Sequence, residues 1–481
     1  MISSKSYRII YFLFFSCPLI LFYSCSSIKP NSIKRNTSFT YQPGRPHISM
    51  SATGMYGQNN DAIINIYSEL LTQSLVSYTE DTLREGQKKV SFRILYEIYS
   101  QSDSSDSWQS TEKKTVLFSE GSQDTDHQKI NMAHTFNVPG PGKYRAVVIV
   151  QDSKSRKAAK AETEVVIPRK LPNTFGISGI TFTALDSAQL EQGYKPVTTY
   201  EVTRDFEALR FECQVTDGML NDSLSIDVIV KRFRSDVEPA LRLSASAFRV
   251  GVVEREGIVY NDYETVYSQH RTIQPGEKIF TYKVGMDTPS IGNYRFEITI
   301  YNGNGESFTR AFDFGIKRAG FPFVETPRQF AQPLYYLMDK KDYEKLMSIK
   351  NSDSLKRAVD EFWISNLHDL SVTRRVISLY YSYVEDANKY FSNYKEGWKT
   401  DMGMIYILMG PPMHSRNFSK SIRWAYSTDE YDPRTTFVFK QERIKSGVFP
   451  FDVYLLDRRG ILAVDNEYYI INEWLNGDIL R

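Results

Sequence analysis

Cysteine and histidine are both scarce in this chain of 481 residues. Three cysteines, Cys17, Cys25 and Cys213, are too few for a disulfide framework. The six histidines are scattered, and the sequence has no HExxH, GxSxG, GxGxxG or Walker pattern and no clustered Cys/His set. We therefore expect neither a metal nor an organic cofactor.

An excess of charge of either sign is also missing, with 59 basic residues against 57 acidic ones and no long basic patch. We therefore expect no nucleic-acid partner. Aromatic residues are abundant at 14%, including 32 tyrosines and 29 phenylalanines. Tyrosine is typical of strands and half-buried faces, and also of surfaces that bind proteins or sugars.

The start of the chain indicates an export signal. Residues 1–24 combine two basic residues with an apolar run from Ile9 to Tyr23, shorter than the roughly 20 residues that a membrane-spanning helix needs. Leu21–Cys25 resembles the lipobox of bacterial lipoproteins, which are cut before the cysteine and acylated on it. The sequence therefore predicts a lipid anchor such as palmitate on Cys25, with an uncleaved N-terminal anchor as the alternative.

The segment that follows predicts where the protein lies. Residues 25–46 are mostly polar, which is typical of a flexible tether. No acidic run follows Cys25, and in some lineages such a run directs lipoproteins to the cell surface. We therefore expect an outer-membrane lipoprotein of the cell envelope that faces the periplasm. With Cys25 acylated, Cys213 has no partner and is predicted to be a small buried apolar residue.

An internal repeat indicates two domains of one kind. Pro139–Val150 and Pro289–Ile300 share the pattern Pro-x-x-Gly-x-Tyr-Arg before a largely apolar strand, 150 residues apart. The tyrosines, Tyr144 and Tyr294, can bury their rings and donate their hydroxyls to the backbone, as in the tyrosine corner of immunoglobulin-like sandwiches. The repeat resembles the last hairpin of an immunoglobulin- or fibronectin-III-like domain.

Further strands support this interpretation. Apolar residues alternate with polar ones at 90–98, 209–215 and 224–230, the period of a sheet with one buried face. We therefore predict tandem β-sandwiches at residues 47–170 and 171–318. Such domains could bind partners through loops or a sheet edge, or act as rigid spacers.

From residue 319 the pattern becomes helical. Apolar spacing predicts helices at Ser354–Trp363, capped by Asp353, and at Val372–Phe391, capped by Ser371. Short apolar runs at 422–426, 436–439 and 453–456 predict a small antiparallel sheet. The predicted fold is thus mainly β, with an α+β C-terminal domain at residues 319–481.

Between the second predicted helix and this sheet lies Gly397-Trp398-Lys399-Thr400-Asp401, followed by an apolar run and Gly410-Pro411-Pro412. This segment resembles the signature of the GWxTD-domain family of bacterial envelope proteins, which has no established biochemical activity. The resemblance identifies these residues as the family motif: Gly397, Trp398, Thr400, Asp401, Gly403, Tyr406, Gly410, Pro411 and Pro412.

Each part of the signature has a structural interpretation. Gly397 is expected to adopt a backbone conformation closed to other residues, and Trp398 to be a buried anchor. Thr400 and Asp401 can accept hydrogen bonds from neighbouring backbone amides and hold the turn. The apolar run after Asp401 is predicted to be a strand, which bends at Gly403 and is stopped by the two prolines.

A catalytic interpretation is the alternative. Asp401, Glu385 on the preceding helix and His414 could line a pocket as acid, base or cation ligands. The chain departs from the family pattern where Ile364-Ser365-Asn366 replaces Arg-Asp-Pro, and where Met402 and Met404 replace arginines. Both departures remove arginines that could have bound an anion, and they weaken the case for catalysis or ligand binding without affecting the fold argument.

We therefore expect a lipid-anchored accessory, scaffold or assembly factor that binds protein partners in the envelope and is not an enzyme. An envelope hydrolase that uses Asp401 and Glu385 is one alternative. A carbohydrate-binding lipoprotein, with a row of exposed aromatic residues on one sheet face, is the other.

Overall fold

The computed structural model describes residues 31–32, 44–57, 59–79, 87–101, 106–119, 129–169, 174–186, 193–217, 223–243, 257–273, 279–287, 289–442, 453–458 and 467–480. The predicted signal, Cys25 and most of the predicted tether lie outside these ranges. Within the tether, the two-residue strand β1 (Asn31–Ser32) pairs in parallel with Arg310 and Ala311. That point of the tether is therefore held against a sheet.

The first sandwich is built from two sheets that face each other across one apolar core. In the described ranges its strands are β2 (Ile48–Tyr56), β3 (Ala62–Leu71), β4 (Gln87–Ser100), β5 (Ser107–Ser119), β6 (Lys129–Val138), β7 (Gly142–Asp152) and β8 (Ala158–Ile167). One sheet has the order β2-β3-β6 and the other β5-β4-β7-β8, and all their pairings are antiparallel. A single-turn 3-10 helix, Thr72–Ser74, follows β3.

The second sandwich contains more strands in its described ranges. They are β9 (Phe175–Ile177), β10 (Thr181–Asp186), β11 (Tyr194–Pro196), β12 (Glu201–Thr203), β13 (Phe206–Asp217), β14 (Leu224–Ser235), β15 (Ile258–Ile273), β16 (Ile279–Asp287), β17 (Gly292–Tyr301) and β18 (Ser307–Lys317). The sheet orders contain β10-β13-β16 and β15-β14-β17-β18. These match the orders β2-β3-β6 and β5-β4-β7-β8 strand for strand, so the two domains share one topology.

The repeated tyrosines occupy the same position in both sandwiches. Tyr144 donates its hydroxyl to the carbonyl of Gly140 at 2.7 Å, and Tyr294 donates to the carbonyl of Ser290 at 2.6 Å. Both rings are buried. The predicted tyrosine corner is therefore confirmed twice, and it fixes the turn that leads into β7 and β17.

Cys213 lies on β13 inside the second core, where its side chain is buried among aromatic and aliphatic residues. Alternation on this strand directs it inward together with Phe211 and Val215. Burial raises the pKa of its thiol to about 12. The predicted role of a small buried apolar residue is confirmed.

The C-terminal domain packs helices against a small sheet. Its described helices are α1 (Pro327–Ala331), α2 (Lys340–Ser348), α3 (Ser352–Leu367), α4 (Leu370–Phe391), α5 (Asp401–Met409) and α6 (Glu467–Asn476). Its strands, antiparallel in the order given, are β19 (His414–Phe418), β20 (Ser421–Ala425), β21 (Thr436–Glu442) and β22 (Val453–Leu456). In the described ranges of this domain, 3-10 turns lie at Gln332–Tyr336, Gly397–Lys399 and Asp478–Leu480.

The two predicted helices are confirmed, and their caps are corrected. Asn351 caps α3 by accepting from Ser354 N, and Asp369 caps α4 by accepting from Ser371 N and Val372 N. Each cap therefore lies two residues before the predicted one, because each helix extends further toward its N-terminus than the apolar spacing indicates.

A loop of the second sandwich enters the C-terminal core. After β14 the chain places Ala240 and Leu243 among the buried residues of the C-terminal domain, both without exposed area. A second small cluster joins Phe233 and Ile258 of the sandwich to Tyr394 and Val453. The two domains thus share apolar core, and the candidate site lies beside this junction.

Candidate functional site

The signature segment begins with a 3-10 turn and continues as α5. Thr400 is the N-cap, because its Oγ1 accepts from Gly403 N at 3.0 Å and donates to Gly397 O at 2.7 Å. Thr400 was thus correctly predicted to bind a neighbouring amide. The prediction of a strand after Asp401 was wrong, since Asp401–Met409 is a helix. All residues from Asp401 to Leu408 are buried, so the apolar run has no helical period to detect.

Two glycines allow three backbone segments to meet. A Cβ on Gly397 would lie 1.8 Å from the carbonyl oxygen of Ala387 on α4. A Cβ on Gly403 would lie 1.9 Å from the carbonyl oxygen of Gly397. Gly397 is in a 3-10 turn, a conformation open to any residue, so close packing and not an unusual φ requires this glycine. Gly403 was predicted to bend the chain into a strand. It lies instead in the first turn of α5, where the absence of a side chain allows the close contact with Gly397.

Trp398 is the anchor that the sequence predicts. Its side chain is buried, and its indole Nε1 donates to Glu396 Oε2 at 3.0 Å. Its backbone N donates to Asn388 Oδ1, and its carbonyl accepts from the hydroxyl of Tyr336. The turn is therefore bound on one side to α4 and on the other to the segment that precedes α2.

The far end of α5 is closed by the remaining motif residues. Gly410 has a φ of 74° and its carbonyl accepts from the hydroxyl of Tyr426 at 2.9 Å. Pro411 and Pro412 follow at the point where the helix ends. Tyr406 lies in the middle of the helix, buried, with its hydroxyl 3.5 Å from Asp386 Oδ2. These residues fix where the helix stops and where β19 starts.

Asp401 is a buried acceptor with two partners. Its Oδ2 accepts from the backbone N of Leu456 on β22 at 3.0 Å, and its Oδ1 accepts from Arg458 Nη2 at 2.7 Å. The Asp401 side chain has no exposed area, and that of Arg458 is 11% exposed. Asp401 was expected to hold its own turn; it instead binds a strand 55 residues further along the chain.

Arg458 connects this carboxylate to the second sandwich. The same Nη2 donates to the carbonyl of Leu241 at 2.8 Å, in the loop that enters the C-terminal core. Arg458 is not among the candidate residues that the sequence singles out. The signal that could have found it is a basic residue two positions after the apolar strand β22, but no local spacing links it to Asp401.

The three groups of the catalytic alternative lie in different surroundings. Glu385 Oε1 accepts from the backbone N of Val324 at 3.0 Å, which ties α4 to the segment before α1. His414 begins β19, and its Nδ1 is 3.8 Å from Glu430 Oε1. Asp401 is covered by Arg458 and β22. An acid–base role for Asp401 and Glu385 stays a prediction, and it would require Arg458 to move away.

The described residues contain no group of three or more His, Cys, Asp or Glu side chains placed to hold a metal. Within the same ranges, no helix has both the length and the apolar character needed to cross a membrane. Among the described aromatic side chains of the two sandwiches, Tyr263 is the one that is exposed, at 48%, while the others are half-buried or buried. The aromatic row expected for sugar binding is therefore not found in this part of the chain.

The fold and the site define a class of protein: two β-sandwiches of one topology, followed by an α+β module organised around a buried, threonine-capped helix. Residues 300–476 match the family model described as GWxTD domain. This part of the chain is a GWxTD domain, as the motif at residues 397–412 indicated. The match begins near the end of β17, so it includes the last strand of the second sandwich, β18.

Other comparisons add little. No curated protein matches the chain. One solved structure with a reported similarity is the crystal structure of red sea bream transglutaminase, at 7% sequence identity and a TM-score of 0.18, covering 57% of this chain and 31% of that chain. The chain thus spans about a third of that protein's length, and a likeness at this score supports no argument about fold or function.

Proposed function

We propose that this protein is a lipid-anchored component of the bacterial cell envelope, acylated on Cys25 and facing the periplasm at the outer membrane. Its role is that of a non-catalytic scaffold or assembly factor that binds protein partners. The two sandwiches carry the GWxTD domain away from the membrane and hold it in a fixed orientation.

The state of Asp401 supports the non-catalytic role. A general acid or base must reach the proton that it transfers, at hydrogen-bond distance from the substrate. Both oxygens of Asp401 are instead engaged by Arg458 and by the backbone of Leu456. The one acid of the signature is thereby used to join α5, β22 and the second sandwich.

Exposed aromatic side chains on the C-terminal domain support a partner-binding role. Tyr468 and Tyr469 on α6 are 72% and 68% exposed, and Tyr431 in the loop before β21 is 71% exposed. Tyrosine is enriched at protein interfaces, where its ring buries apolar area while its hydroxyl keeps a polar contact.

The anchor is tested by Cys25→Ser with Cys17→Ser as the matched control. Cells are fed an alkyne-tagged palmitate, and the membrane fraction is probed for label. We expect Cys25→Ser to lose the label and Cys17→Ser to keep it, because the signal that contains Cys17 is removed from the mature protein. Label retained by Cys25→Ser would refute acylation at this residue.

The non-catalytic role is tested by Glu385→Gln in the full-length protein. Glutamine keeps an oxygen for the Val324 amide, so the fold is preserved, but it cannot transfer a proton. We expect full complementation of a deletion strain by this variant and by His414→Ala. A stable Glu385→Gln protein that fails to complement would favour the hydrolase.

A further inference from the structure

A cavity of about 650 Å³ lies where the second sandwich meets the GWxTD domain. It is bounded by the end of β14, by β15, by the turn before β17, by the end of β18 and by residues 394–399. Pockets for small ligands span roughly 300–1,000 Å³, so this one can hold a few side chains of a partner. It adjoins the signature without including Asp401.

Among the charged residues of its lining, basic ones outnumber acidic ones, and each acid is already paired with a basic neighbour. Three acidic residues line it, Asp262, Glu264 and Glu396. Twice as many basic residues do so: Arg232, Arg234, Lys317, Arg318, Lys395 and Lys399. A concave surface with an excess of positive charge concentrates field lines and attracts anions. The cavity therefore favours a ligand with negative charge.

Lys317 is the most notable of these cations. It is buried, and in the described residues the one hydrogen bond of its ammonium group goes to the carbonyl of Asn393 at 2.9 Å. An ammonium group has three N–H donors. Its other two donors have no hydrogen-bond acceptor among the described residues. Burial lowers the pKa of Lys317 to about 8, while Glu201 on β12 and Glu396 raise it and Lys399 lowers it.

The rim of the cavity is apolar and exposed. Tyr263, Ile291 and Val237 all line the cavity, and their exposed fractions are 48%, 50% and 52%. Exposed apolar side chains that cluster beside a pocket are characteristic of binding surfaces. A ligand that matches both rim and interior carries apolar groups next to its acidic ones.

One wall is a sheet edge. In the described ranges β15 ends its sheet and pairs on one side with β14. The ladder breaks at the cavity, because Phe233 pairs with Tyr263 while Arg234 pairs with Val259, so residues 260–262 bulge. An extended peptide can add to such an edge through its backbone while alternate side chains enter a pocket.

We propose that this cavity binds an extended peptide segment of a partner protein, with acidic side chains directed to Lys317 and Lys399 and apolar ones on the rim formed by Tyr263 and Ile291. The inference rests on the proposed scaffold function and names the docking site for it. No covalent step is involved.

The test measures binding of two peptides to the full-length protein in detergent micelles. One probe is the acetylated hexapeptide of alternating leucine and glutamate, and the matched probe replaces each glutamate with glutamine. Because charge-assisted hydrogen bonds are about twice as strong as neutral ones, we expect at least about tenfold tighter binding of the acidic peptide. Equal affinities of the two peptides would overturn the proposal.

Variants locate the site. Lys317→Met and Lys399→Met should each weaken binding of the acidic peptide by about tenfold. Ile291→Asp should weaken it to a similar extent, because it places a charge on the apolar rim. The control Lys356→Met removes an equal charge from the exposed face of α3, far in sequence from the cavity, and should change nothing. Tight binding that survives both cavity variants would refute this site, even if Lys317→Met alone were to fold poorly.

The pH profile adds a readout specific to Lys317. Raising the pH from 7 to 9 neutralises this lysine in the free protein, so the affinity for the acidic peptide should fall. The affinity of Lys317→Met should depend less on pH, because the lysine that loses its proton in this range is absent. The charged neighbours Glu201, Glu396 and Lys399 are the same in both proteins. Identical profiles would argue against a contact with Lys317. Binding of a neutral oligosaccharide or of anionic vesicles in place of the peptide would overturn the peptide assignment.

Photocrosslinkers separate this inference from the function on which it rests. One is placed at Tyr263 on the rim and another at Tyr468 on α6, which is also exposed. Crosslinks in cells from Tyr263 that the acidic peptide competes away support the cavity. Crosslinks from Tyr468 alone would refute the cavity and leave the scaffold function standing, and none from either would refute both.

Discussion

Arg458 Nη2 lies 2.7 Å from Asp401 Oδ1 and 2.8 Å from the carbonyl oxygen of Leu241. One guanidinium nitrogen thus joins the signature helix to a loop of the second sandwich. A buried ion pair contributes little more to folding stability than an apolar pair of the same size would. Removing one partner is nevertheless costly, because it leaves the other charge buried and uncompensated. The signature aspartate is therefore expected to be required for folding and not for chemistry.

Asp401→Ala and Arg458→Ala should each destabilise the C-terminal domain by about 3–5 kcal/mol, the cost of one uncompensated buried charge. The double variant should lose less than the sum, because neither charge is left alone. Four of the five tryptophans lie in this domain, at 363, 398, 424 and 474, so denaturant unfolding followed by tryptophan fluorescence reports on it.

The control for this cycle is the exposed pair Lys356–Asp360 on α3, with side chains 66% and 48% exposed. Its removal should cost no more than about 0.5 kcal/mol. If the double variant loses as much free energy of unfolding as the two single variants together, Asp401 and Arg458 do not act as a pair.

Gly397→Ala and Gly403→Ala should each destabilise the domain by about 3 kcal/mol, the upper end of overpacking costs, since the added Cβ would meet backbone atoms that cannot rotate away. The second case is diagnostic, because alanine ordinarily stabilises a helix by about 1 kcal/mol relative to glycine. Gly303→Ala, where the Cβ would meet nothing within 4 Å, should stay within about 0.5 kcal/mol. An increase in the unfolding midpoint of Gly403→Ala would contradict the packing described above.

The β-sandwiches were predictable because their signals are local. Alternation along each strand and the Pro-Gly turn before Tyr144 and Tyr294 are visible within a dozen residues. Helix α5 was not predictable in the same way, because it is buried on all sides and an all-apolar run has no period to distinguish helix from strand. Both N-caps were predicted two residues too late, because each helix start offers two residues that are suited to capping. These are Asn351 and Asp353 for α3, and Asp369 and Ser371 for α4.

The site was less predictable than the fold. Its chemistry depends on pairs that no spacing reveals: Arg458 is 57 residues from Asp401, and Lys317 is 76 residues from the carbonyl of Asn393 that it binds. The sequence singled out Asp401 as a residue of the family motif. It could not show that the partner is a cation at the end of a strand, so it left a catalytic pair with Glu385 open.

Tyr144→Phe and Tyr294→Phe should each destabilise their sandwich by about 0.5–1.5 kcal/mol, the net value of one hydrogen bond. Hydrogen exchange of the amides in β7 and β17 measures the loss domain by domain. Tyr263→Phe, an exposed ring on β15, should leave exchange unchanged. Equal protection in Tyr294→Phe and the parent protein would mean that the corner does not hold the turn.

Cys213 should be almost unreactive in the folded protein. Burial raises the pKa of its thiol to about 12, so at pH 8 the reactive thiolate is rare, and the surrounding core excludes the reagent. Reaction with a disulfide reagent should therefore proceed at the rate of opening of the second sandwich, and become immediate in urea. The number of thiols that react in urea also tests the anchor: one per chain if the signal is removed and Cys25 is acylated, and three if the N-terminus is uncleaved and unmodified. Fast labelling of the native protein would contradict the buried position on β13.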